Sequence, residues 1–134
     1  MKVSGVGRAA ATFTPIMPTI SNFRRGDIRV MHDLTGFQQD LLFTVAGLDA
    51  PNGVEIKSEM ERYYGSEIRH GRLYPNLDTL VEHGLVHKGQ KDRRTNEYTL
   101  TDEGRTAIAD RISWQTDLAS AGGINVGRRT IPNE

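Results

Sequence analysis

The sequence predicts a mainly α-helical domain with one small β-hairpin. Three observations carry that expectation. Apolar residues recur at helical spacing from Leu34 to Leu48 and again over 54–64, 71–83 and 101–118. Turn signals, Asp49-Ala50-Pro51-Asn52-Gly53 and later Gly84, punctuate those stretches. Two short runs, Leu85–Lys88 and Glu97–Leu100, read as strands around a polar stretch that contains Gly89 and Asn96.

The first helix opens at Thr35-Gly36-Phe37-Gln38, the pattern of a capping box, in which the hydroxyl covers an orphan N–H and the glutamine reaches back. Leu34, Phe37, Leu41, Leu42, Val45 and Leu48 then share one stripe. Asn52, with Glu55 three residues on, predicts the next N-cap. That second helix buries Ile56, Met60 and one of Tyr63 or Tyr64, and it stops at Gly65. A third helix is expected from Gly71 to His83, with Leu73, Leu77, Leu80 and Val81 inward and Gly84 just past its end. Pro75 lies inside it. Its ring presses on the carbonyl of residue 71, and because that residue is glycine the expectation is a distorted first turn, not a break. The strands follow, joined by an expected long loop of residues 89–96. Thr101 caps a last helix whose first turn carries Asp102 and Glu103, favourable at the positive end of its dipole. Ile108, Ile112 and Leu118, with Ala107 and Trp114 adjoining, form its apolar stripe.

This order, helix–helix–helix–hairpin–helix, is that of a winged helix-turn-helix domain, here over residues 32–118. Residues 1–31 hold Pro15 and Pro18 and sustain no period, so a flexible N-terminal extension is expected. Residues 119–134, with Gly122-Gly123 and Arg128-Arg129, read as a flexible tail.

Composition narrows the function classes. The 134 residues include no cysteine, which removes disulfides, cysteine-ligated zinc and thiol redox chemistry. No apolar run approaches the length of a membrane span, and the start lacks the apolar core of a secretory signal, so a cytoplasmic location is expected. The overall charge is zero, but its distribution is uneven. Residues 31–68 hold two basic side chains against seven acidic ones. Residues 69–94 reverse this with six basic (Arg69, Arg72, Lys88, Lys91, Arg93, Arg94) against three acidic. Residues 95–118 return to −3. Positive charge is therefore gathered on the third helix and the hairpin.

Two segments and a short motif also carry a family likeness. LTGFQQDLLFTVAGLDAPNGVEIKSEMERYYG, then GRLYPNLDTLVEHGLVHKG and EYTLTDEGR, resemble the PadR-like winged-helix transcriptional regulators, in particular their haloarchaeal members. The likeness covers about residues 32–115, and LYPNLDTLVEHGLV and YTLTDEG are its most specific parts. It implies sequence-specific DNA binding, dimerisation through the first and last helices, and a regulon tied to the oxidative-stress response.

A winged helix leads its third helix into the major groove by the N-terminal residues. Arg69, His70, Arg72 and Asn76 occupy that position. Arginine can fork onto guanine O6 and N7, and asparagine can pair with adenine N6 and N7. Tyr74 either offers its hydroxyl to a phosphate or its ring to a thymine methyl, or else belongs to the core. Lys88, Lys91, Arg93, Arg94 and Thr95 of the wing are candidates for backbone or minor-groove contacts. One such domain neutralises few phosphates, so a homodimer on pseudo-palindromic half-sites of double-stranded DNA is expected. Leu34, Phe37, Ile108, Ile112, Trp114 and Leu118 are the candidate interface, unless those on the last helix complete the monomer core.

Enzyme chemistry finds no footing. There is no glycine-rich phosphate loop, GxSxG or HExxH. His83 and His87, beside Glu82, have metal-like spacing but straddle a helix end and a glycine turn, so no metal or other cofactor is expected. No effector pocket is recognisable. The alternative function is a winged-helix docking module for another protein, which would not require six cations on the third helix and wing.

Overall fold

The computed structural model describes residues 31–127, so residues 1–30 of the expected extension and Arg128-Arg129 lie outside the described residues. The chain divides into two compact units, one spanning Ile28–Asp110, while the other includes the chain from Arg111 onward.

The described part of the first unit begins with a 3-10 turn, Met31–Asp33. Met31 is 3% exposed and sits in the core, not in an extension. The Gln39 amide donates to its carbonyl at 2.8 Å and to that of Leu34 at 3.2 Å. Helix α1 (Gly36–Gly47) has the expected capping box, with the Thr35 hydroxyl accepting from Gln38 N–H at 3.1 Å. Asn52 and Glu55 cap α2 (Gly53–Tyr64) in the same reciprocal way, and Gly65 closes it at φ 74. Helix α3 runs His70–Glu82, one residue earlier at each end than expected, and passes through Pro75 without a break.

The hairpin departs from expectation. Strands β1 (Val86–Asp92) and β2 (Thr95–Leu100) are antiparallel, pairing Val86 with Leu100, Lys88 with Tyr98 and Gln90 with Asn96. Only Arg93 and Arg94 join them, not an eight-residue loop. Beyond Lys88 the ribbon is mostly exposed, so no apolar alternation marks it as strand and the backbone ladder alone carries the pairing. Turn chemistry comes from Asp92, whose carboxylate accepts the Arg94 N–H at 2.9 Å. Lys91 is an extra residue in the register, because Gln90 pairs with Asn96 while Asp92 already pairs with Thr95.

Leu41 and Leu42 of α1, Ile56 of α2, and Leu73, Leu77 and Leu80 of α3 are fully buried together. Leu34 (5% exposed) and Phe37 (7%) join them, so these two candidate interface residues have little surface to offer a partner. Their place on the inward stripe of α1 put them in the core first. The wing is tied to the helices at Tyr98, which is buried and donates its N–H to the Pro51 carbonyl at 2.9 Å.

Helix α4 (Asp102–Ala121) crosses from one unit into the other. At its start the Thr101 hydroxyl donates to the Gly84 carbonyl at 2.6 Å and accepts the Gly104 N–H at 3.0 Å. Gly104, Ala107 and Ile108 are buried, so Ile108 completes the monomer core. Within the second unit Ile112, Trp114 and Leu118 are about half exposed. The helix runs three residues past 118 because Ala119 and Ala121 continue it readily. Gly123, at φ 79, then ends it, with Ile124 N–H returning to the Ala119 carbonyl at 2.8 Å.

Candidate nucleic-acid interface

The start of α3 differs from that of the other helices. A side chain caps α1, α2 and α4 (Thr35, Asn52 and Thr101), but the N-cap of α3 is Arg69, which has no acceptor to offer. Its carbonyl takes the N–H groups of Arg72 and Leu73, each at 3.0 Å. No acidic residue occupies the first turn, and Arg69, His70 and Arg72 are all exposed there. The positive end of a helix dipole thus coincides with two guanidinium groups and an imidazole.

Arg72 does not extend freely. Its guanidinium lies over the Phe37 ring at 3.9 Å from the centroid, and Phe37 packs edge-on against Tyr64. Asn76 is engaged as well. Its Oδ1 accepts from Gln38 Nε2 at 2.9 Å, and its Nδ2 donates to the Arg72 carbonyl at 2.7 Å. Tyr74 sits with the core side of the helix. It is half-buried, and its hydroxyl lies so close to Gly53 that a Cβ there would collide with it. The ring stacks obliquely on His70 at 5.6 Å. Glycine at the first position of α2 therefore gives the tyrosine its place.

On the wing, Lys88 shares a ribbon face with the buried Tyr98 and reaches back to Asp78 of α3 at 3.5 Å. This pair is exposed and contributes little to stability. Lys91, Arg93 and Arg94 are exposed, and among the described residues neither turn arginine has an ion pair. The Thr95 hydroxyl is used inside the turn. The Arg94 N–H first, and then Thr95, hold the Asp92 carboxyl below the usual carboxylate range.

Sequence reasoning found the cations and missed their supports. The sequence places Phe37 at a candidate interface and Gln38 only in a capping box. Both turn out to hold α3 residues, and only the tertiary fold brings position 38 to position 76. Among the described residues no group of three or more potential metal ligands is present, and no helix is long and apolar enough to cross a membrane.

The profile of the transcriptional regulator PadR-like family matches residues 42–110. Solved structures of RosR from H. salinarum are similar to this chain. The form grown from NaBr is 53% identical over 63% of this chain and 76% of that one, with a TM-score of 0.60. The complex structure of hsRosR-S1 is 52% identical over 64% and 76%, with a TM-score of 0.62. The complex structure of hsRosR-S4 is 52% identical over 69% and 77%, also with a TM-score of 0.62. None of the curated proteins matches the chain.

Proposed function

This chain belongs to the PadR-like family of transcriptional regulators, and on that premise we propose that it binds pseudo-palindromic operators as a homodimer in the oxidative-stress response. The observation that carries the reading is the bare, cationic start of α3. Each of the other three helices has a side chain that caps an N–H of its first turn, and this one has no such cap, which suits its start to an incoming anion such as a DNA phosphate. Arg72 and Asn76 are the base readers, Arg69 and His70 flank them, and Tyr74 supports His70. Lys88, Lys91, Arg93 and Arg94 of the wing hold the backbone, with Thr95 shaping their turn. Ile112, Trp114 and Leu118 supply the dimer contact. The resemblance to haloarchaeal regulators and the likeness to RosR support the oxidative-stress role. With no cysteine in the chain, any oxidant signal reaches the protein by a route other than thiol chemistry.

Mobility-shift titrations on genomic fragments test this. Arg72→Ala costs about 1–3 kcal/mol and relaxes base preference. Arg93→Ala with Arg94→Ala weakens binding to all sequences alike and makes the salt slope shallower by about 2. Equal binding by wild type and both variants would instead favour the docking module.

A further inference from the structure

Asn76 is the third member of a polar chain that begins on α1. The Thr35 N–H donates to Gln38 Oε1 at 3.1 Å, Gln38 Nε2 donates to Asn76 Oδ1 at 2.9 Å, and Asn76 Nδ2 donates to the Arg72 carbonyl at 2.7 Å. Both ends of the chain are backbone groups of fixed polarity. An N–H can only donate and a carbonyl can only accept. Each carboxamide between them therefore has one orientation, since turning either one over sets donor against donor or acceptor against acceptor. A carboxamide offers two lone pairs and two N–H bonds. With one of each used inside the protein, Asn76 keeps one acceptor and one donor, the complement of adenine N6 and N7.

We propose that Gln38 is a specificity-determining positioning residue, which fixes the Asn76 amide in the orientation that reads a base edge. The proposal rests on the DNA-binding reading above. A free asparagine would lose rotamer entropy on binding and could present its amide either way round. One already held does neither. The neighbouring Phe37 serves Arg72 in the same manner through its ring. Consecutive residues of α1 thus hold both proposed readers on α3.

The test compares the full chain with Asn76→Ala, Gln38→Leu and Gln38→Glu. Base preference is selected from randomised duplex DNA and then measured as affinity for the selected site carrying single base-pair changes. Gln38→Glu decides most, because a glutamate still completes the capping box with Thr35 yet has no N–H to give Asn76. Asn76→Ala abolishes discrimination at one base pair in each half-site. Both Gln38 variants lower discrimination at that same pair by about tenfold and leave the other positions unchanged. The added charge of Gln38→Glu weakens all sequences alike and does not enter this comparison. If the Gln38 variants keep wild-type preference at the position Asn76→Ala loses, or if Asn76→Ala loses none, the proposal falls. Absence of DNA binding by the wild-type chain would overturn the broader reading along with it.

Discussion

The Tyr64 phenol is kept neutral by burial first and then by its charged neighbour. The phenol packs against Phe37 and donates to Asp40 at 2.6 Å, and its pKa is pushed up to about 12. Burial is the largest cause, followed by the hydrogen bond to Asp40 and then the charge of that carboxylate. A raised pKa means the folded protein holds the proton more tightly than the unfolded chain. The stability this contributes is present below the ordinary value of 10.0 and is lost as pH rises through about 12. Spectroscopic titration of tyrosinate shows a transition at about 12 that Tyr64→Phe deletes. Asp40→Asn leaves the part of the shift that burial causes, and a return to ordinary titration in that variant would mean that the pair, not burial, sets the value. The same stack of side chains ends on Arg72, whose helical position was readable in the sequence. What Arg72 rests on was not, because Phe37 lies 35 residues upstream and meets it only when α1 and α3 pack.

Element boundaries were legible wherever a side chain closes its own backbone. Thr35 with Gln38, and Asn52 with Glu55, make local bonds three residues apart, so pattern and structure agree. The wing was less legible, because paired strands need no apolar signal when water covers both their faces and Asp92 supplies the turn without glycine. The joint between wing and α4 makes a sharp prediction. A Cβ on Gly104 would run into the Leu85 carbonyl oxygen, and that is backbone that cannot swing aside. Alanine elsewhere in a helix gains up to about 1 kcal/mol over glycine. Here the collision wins, and Gly104→Ala loses roughly 1–3 kcal/mol in denaturant unfolding. An unchanged or higher midpoint would show that this joint is looser than described.

At the scale of the molecule, fold class and family were readable from the order of elements and from YTLTDEG. The motif now has a physical meaning. Tyr98 anchors the wing, Thr101 caps α4, and Gly104 lets that helix approach. Of the expected interface residues, Leu34 and Phe37 are buried in the inward stripe of α1, whereas Trp114 and Leu118 of α4 are exposed, four residues apart on one face. In the proposed dimer, Trp114→Asp shifts the chain to monomers in sedimentation, weakening association by more than tenfold. The same variant loses operator affinity as its half-sites uncouple. A variant that stays dimeric would move the interface to residues other than Trp114.

The two-residue closure at Arg93-Arg94 also makes the wing a ruler. A residue added to each strand would carry the arginines outward by roughly 3.4 Å and turn them to the opposite face of the ribbon. Two added to each would restore the face and advance them by about 7 Å. Changes in wing length that keep both arginines on the same face of the ribbon are thus confined to even steps.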